Sequence, residues 1–142
     1  MKHLLLILSM TLFAAGAMSQ ANISLNKAKE IPRASIQAKI KNNKTVQYVD
    51  PKALVQGQNF MRLRTGDLLY IEYKNRKIVS FTLTNARGVQ QGKPIVMIPS
   101  VQFQCSQKFC VCSGDADCND MFTTNVCGPD AACFGNSCVC YR

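Results

Sequence analysis

Eight cysteines fall between Cys105 and Cys140, spaced C-x4-C-x-C-x5-C-x8-C-x5-C-x4-C-x-C, and none precedes them. Thiols at that density either hold metal or oxidise in pairs. The apolar residues among them are few (chiefly Phe109, Val111, Met121, Phe122, Val126, Phe134, Val139 and a few alanines). So small a segment cannot bury enough surface to offset its chain entropy, and cross-links must supply the difference. The even count, and the lack of the paired C-x2-C knuckles typical of zinc, favour four disulfides among Cys105, Cys110, Cys112, Cys118, Cys127, Cys133, Cys138 and Cys140. Their pairing stays open, except that Cys110 with Cys112 and Cys138 with Cys140 are too close to bridge without strain.

Other chemistry is scarce. The sole histidine, His3, sits in a stretch expected to be removed, so neither a Ser-His-Asp or Cys-His nucleophile nor a histidine base or metal ligand is expected. Four carboxylates precede the cysteines: Glu30, Asp50, Asp67 and Glu72. A hydrolase would need two of them facing each other across a cleft, about 5–10 Å apart. Asp115, Asp117 and Asn119 copy the first oxygen ligands of a calcium loop. Asp120 then stands where that loop needs glycine and Val126 where it needs a bidentate glutamate, so the stretch reads as a polar turn. No catalytic residue and no cofactor is expected.

The cysteine block repeats itself: Cys105-x4-Cys110-Val111-Cys112 is echoed by Cys133-x4-Cys138-Val139-Cys140. These C-x4-C-x-C units ending in C-V-C resemble the short EB-type and EGF-like cysteine-rich modules of extracellular proteins. The resemblance covers residues 105–142 and implies an extracellular disulfide knot, with no binding residues carried over. Its loop lengths depart from the EGF-like pattern, since Cys118 follows Cys112 after only five residues.

The elements that must carry this block come next. Met1-Lys2-His3 and the apolar run from Leu4 to Ala17 read as a secretory leader over residues 1–19, with cleavage after Ser19 or Ala21. No later stretch has the length and apolarity of a transmembrane helix. From Ala34 onward the pattern is period two. Ala34, Ile36, Ala38 and Ile40 alternate with polar residues, Asn42-Asn43 turns the chain, and Thr45 to Val49 returns. Met61 and Leu63 alternate with Arg62 and Arg64. Leu69, Ile71 and Tyr73 share a face, as do Val79, Phe81 and Leu83. The fold class predicted is mainly β: a small antiparallel β-sandwich or barrel over residues 22–104, held by packing alone, then a disulfide-rich, loop-dominated module over residues 105–142.

Charge divides the same way. Residues 20–104 hold fourteen Lys and Arg against four Asp and Glu, whereas the cysteine block holds two against four. A basic, exported β-domain suits an anionic envelope polymer or a partner protein. Lys39 with Lys41 and Arg62 with Arg64 project in pairs, and Lys74, Arg76 and Lys77 cluster at a hairpin tip. The same residues would equally serve as the solvated faces of a two-faced sheet. Nucleic acid is disfavoured, because it calls for exposed aromatics interleaved with the charges, and Tyr48, Tyr70 and Tyr73, which could serve, equally suit strand packing. The expected function is therefore that of a secreted, periplasmic or cell-surface accessory protein, binding or structural and not enzymatic. The competitors are a disulfide-knot inhibitor or toxin-like effector displaying Met121 to Gly128, with Phe122 and Thr123 as contacts, and a carboxylate-based hydrolase.

Overall fold

The computed structural model describes residues 27–99 and 102–142; the expected leader and its cleavage point lie outside the described residues. Eleven strands and one helix follow. They are β1 (Lys29–Glu30), β2 (Ile36–Lys41), β3 (Lys44–Val49), β4 (Gly57–Arg62), β5 (Leu68–Lys74), β6 (Lys77–Thr84), β7 (Ile95–Val96), β8 (Gln104–Cys105), β9 (Phe109–Ser113), α1 (Asp115–Thr123), β10 (Asp130–Phe134) and β11 (Ser137–Tyr141). The hairpin turn at Asn42-Asn43 has both residues left-handed (φ 49° and 57°), the twist that a two-residue β-hairpin needs and that asparagine tolerates.

The strands form two sheets, ordered β1-β4-β5-β6-β7 and β2-β3-β10-β11-β9-β8. Both are mixed, since β1 runs parallel to β4 and β10 parallel to β3, and neither closes into a barrel. The alternation read from the sequence decides which face is buried. Met61, Leu63, Leu69, Ile71, Phe81 and Leu83 of the first sheet meet Val49, Phe109, Val111, Ala132, Phe134 and Val139 of the second. Phe81 and Phe134 touch across the interface, ring centres 5.8 Å apart. Two polar side chains lie wholly inside, Asn59 and Thr84, and the Thr84 hydroxyl donates to the Asn85 carbonyl at 3.0 Å. Asn59 accepts from the Val55 amide at 2.9 Å and donates to the Val55 and Gly57 carbonyls at 2.8 and 3.2 Å. The loop ahead of β4 is thus pinned by an amide that satisfies itself locally.

Sheet pairing crosses the expected division at residue 105. From Asp130↔Thr45 to Phe134↔Val49, five residues of β10 pair with β3. The cysteine block therefore supplies the central strands of the second sheet and part of the main core. It also carries more regular structure than a loop-dominated knot, with three five-residue strands and a nine-residue helix. Period-two reading fails along Leu68 to Ile71 of β5 and Phe81 to Thr84 of β6, which are buried on both faces, and again in β2. Ile40 is 74% exposed, because β2 is the sheet's edge and the strand at the facing margin, β1, has only two residues.

The outer face of the second sheet carries the sulfur. Disulfides join Cys105 to Cys110, Cys112 to Cys118, Cys127 to Cys140 and Cys133 to Cys138, and no cysteine is free. On adjacent β9 and β11, Cys110 stands opposite Cys140 and Cys112 opposite Cys138. The bridges thus run in two rows across the sheet and pack with Val46, Met121 and Phe122 beneath α1. Residues alternate in role along these strands: in Cys-Val-Cys the valine enters the sandwich and both cysteines enter the sulfur layer.

At the end of the sandwich where β11 finishes, the Tyr141 hydroxyl is enclosed and has no hydrogen-bond partner among the described residues. Burial, reinforced by the charges of Asp130 and Asp67, raises its pKa above the ordinary tyrosine value. The unfolded chain would lose that proton near pH 10 while the folded chain keeps it, so stability is complete below about pH 10 and falls as pH rises beyond. Tyr141→Phe is expected to flatten this alkaline loss. At neutral pH it should leave stability unchanged or raise it by about 1 kcal/mol, since it removes an unsatisfied buried hydroxyl. Denaturant midpoints at pH 7 and pH 10.5 (a pH chosen to be about half a unit past the free phenol) check both halves.

Candidate functional site

The basic residues singled out by the sequence fall into three places. Lys39 and Lys41 project from the outer face of β2, and each ammonium sits over an aromatic ring, Lys39 over Tyr48 at 5.7 Å and Lys41 over Phe122 at 5.8 Å. Arg62 and Arg64 border the open flank between β2 and β4, beside Ile36, Ala38, Met61 and Leu63. Arg64 is engaged there, meeting Asp130 at 3.3 Å and donating to the Thr45 hydroxyl at 3.4 Å. Lys74, Arg76 and Lys77 surround the β5–β6 turn. Lys74 is held by Glu72 at 2.6 Å, and this ammonium, its hydrogen bond first, keeps the Glu72 carboxyl below the ordinary glutamate pKa. Arg76 and Lys77 have no ion-pair partner among the described residues.

Those two cations stand at the mouth of the sandwich, where a cavity of about 610 Å³ opens between the sheets. Tyr73, Ile78 and Val79 form one wall, Phe134 with Ser113 and Ser137 the other, and Leu54, Met97 and Ile98 close the sides. Local irregularities build this space. The register of β5 and β6 slips between Glu72 and Tyr73, so that Tyr73 faces Ile78 and Val79 is the extra residue of a bulge. The Val79 carbonyl then accepts from the Met97 amide at 2.9 Å, bringing the chain after β7 across the opening. Asn59 fixes the loop that presents Leu54. Among the described residues no carboxylate lines the mouth, and the charged ones that do are Arg76 and Lys77.

The turn that carries Arg76 is strained. Asn75 and Arg76 are both left-handed, at φ 51° and 60°. Asparagine bears this readily, but arginine has no such excuse, and glycine there would relieve about 1–2 kcal/mol. Backbone held in so sparse a region tends to occur where a side chain is needed in place.

The other chemical possibilities are scattered. Glu30 borders the open flank, Asp50 caps the Lys52 amide at 2.9 Å, Asp67 lies in the β4–β5 turn and Glu72 is tied to Lys74. Among the described residues, five surface concavities each have at most one carboxylate in their lining. Asp115, Asp117 and Asn119 begin α1 instead of forming a turn. Asp115 and Asn119 share a helix face while Asp117 lies about 200° round the axis, so the three oxygens do not converge. In the stretch from Met121 to Gly128, Met121 and Phe122 are buried beneath the second sheet and only Thr123 to Asn125 are exposed.

Arg76 and Lys77 were legible as a charged hairpin tip. The rest of the mouth was not, because Leu54, Met97 and Phe134 belong to three distant stretches, and a bulge leaves no mark in an alternating pattern. Neither a protein-family model, nor a curated protein, nor a solved structure matches this chain.

Proposed function

We propose that this chain is an exported, non-enzymatic binding protein that docks through its basic surface on an anionic partner of the cell envelope, and that the mouth of the sandwich is its principal contact. The carrying observation is that the mouth unites residues from both sheets around a charged lining that, among the described residues, is cationic. Four disulfides support an oxidising compartment outside the cytoplasm, and no helix among the described residues is long and apolar enough to cross a membrane. The cross-linked sulfur layer backs the sheet that forms one wall, so a partner meets a surface already ordered and little entropy is lost on docking.

An envelope polymer is the partner that the charge favours. The mature oxidised protein should be retained by its own envelope fraction, with the amount bound falling about tenfold between roughly 0.05 and 0.5 M salt as screening shortens the reach of Arg76, Lys77 and their neighbours. Retention that ignores salt would instead point to a protein partner held by apolar contact. No retention at any salt would sink the proposal.

A further inference from the structure

We infer that the mouth of the sandwich takes a long-chain fatty acid as a monomer, its carboxylate at Arg76 and Lys77 and its alkyl chain between the sheets. This rests on the reading of the mouth as a binding site and goes beyond it, giving the mouth a small-molecule ligand in addition to the envelope partner met at its rim.

The cavity of about 610 Å³ falls within the roughly 300–1,000 Å³ range of small-molecule sites. Its depth is apolar, with Leu54, Tyr73, Ile78, Met97 and Phe134 all belonging to the main core or packed against it. Its rim is cationic on one side and bears no carboxylate among the described residues. Charge and apolarity are thus segregated along the path into the mouth, the distribution that complements a molecule with one anionic end and one alkyl end. An extended acidic peptide would match the rim but not the interior. The strands that wall the mouth, β5, β6, β10 and β11, are interior to their sheets, so most of their backbone groups already have ladder partners, and only the start of β6, beyond the short β7, has an open side for a peptide. A hydrocarbon chain asks for no such partners. The left-handed Arg76 completes the pattern, since a residue that glycine would replace without strain holds a guanidinium at the rim.

Full-length mature oxidised protein would be titrated with tetradecanoate, with shorter fatty acids, with tetradecanol, with an acidic peptide and with anionic phospholipid vesicles. Tetradecanoate should bind, with affinity rising by up to about fourfold for each methylene buried, and tetradecanol should bind about tenfold more weakly for want of a charge. Arg76→Gly should raise the unfolding midpoint by relieving the turn, while lowering tetradecanoate affinity about tenfold and leaving tetradecanol affinity unchanged. A merely structural arginine would not separate the two ligands. Equal affinity of the parent for acid and alcohol, or an Arg76→Gly protein that binds tetradecanoate as the parent does, overturns the inference. So does binding confined to vesicles or to the peptide, although retention by the envelope fraction would then still uphold the broader function. Loss of that retention alone, with tetradecanoate bound, would overturn the broader function and leave the fatty-acid site standing.

Discussion

A chain ended after Gln104 is expected to lose its fold altogether. By composition residues 22–104 look self-sufficient, free of cysteine and rich in alternating strands. The contacts argue otherwise. Removing residues 105–142 deletes β9, β10 and β11, and so leaves β2 and β3 as a two-stranded ribbon with no neighbour beyond β3. Such a hairpin is marginal in water by itself. The cut also takes Phe109, Val111, Ala132, Phe134 and Val139 from the core. The four larger ones contribute about 1.5–3 kcal/mol each by burial, which together matches much of the roughly 5–15 kcal/mol that separates folded from unfolded domains. Their partners on the first sheet, Phe81 foremost, would face water. The truncated chain should show an unfolded far-UV circular dichroism spectrum and no cooperative transition on heating. A sharp transition in the truncated chain would mean that the first sheet and the β2–β3 ribbon close a core without the cysteine block.

That contrast shows what a sequence conveys about a fold of this kind. Alternation is a local property, and it correctly placed Met61, Leu63, Leu69, Ile71, Phe81 and Leu83 inside and Arg62 and Arg64 outside. Asn42-Asn43 announced its turn through the one asparagine property that matters there, tolerance of the left-handed region. The parallel pairing of β3 with β10 joins residues more than eighty positions apart, and nothing in either strand's pattern names the other. Compositional reading was misled at the same place: the cysteine block looks too poor in apolar residues to pack, yet each valine of its two Cys-Val-Cys units is fully buried in the sandwich. Its poverty is made good by the neighbouring sheet. For the site, charge was visible and shape was not. Exposure of Ile40 and the bulge at Val79 both depend on what lies opposite, which is a property of the assembled sheets.

The four disulfides should differ in weight, and removing Cys127–Cys140 should cost most. In the chain-entropy account the benefit of a bridge grows with the loop it closes. The sequence separation is 13 for Cys127–Cys140 and 5 for both Cys105–Cys110 and Cys133–Cys138, which translates to about 3 kcal/mol against about 2 kcal/mol. Position widens the gap. Cys140 is fully buried in β11, an interior strand with pairing on both sides, and its bridge ties the segment after α1 to that strand. Cys105 is exposed in β8, a two-residue strand at the sheet's margin. Such an edge opens locally before the whole molecule does, so its bridge restrains states that already contribute little to global unfolding. The double variant Cys127→Ala/Cys140→Ala is expected to lower the unfolding midpoint by about 10–15 °C for a chain of this size, and Cys105→Ala/Cys110→Ala by less than half of that. Cys133→Ala/Cys138→Ala should fall between them, since Cys133 and Cys138 bridge β10 to β11 behind the wall of the mouth. Calorimetry on the three oxidised variants gives the order directly. If the Cys105–Cys110 variant proves as costly as the Cys127–Cys140 variant, then neither loop length nor strand position governs the sulfur layer, and β8 must be part of the cooperative core.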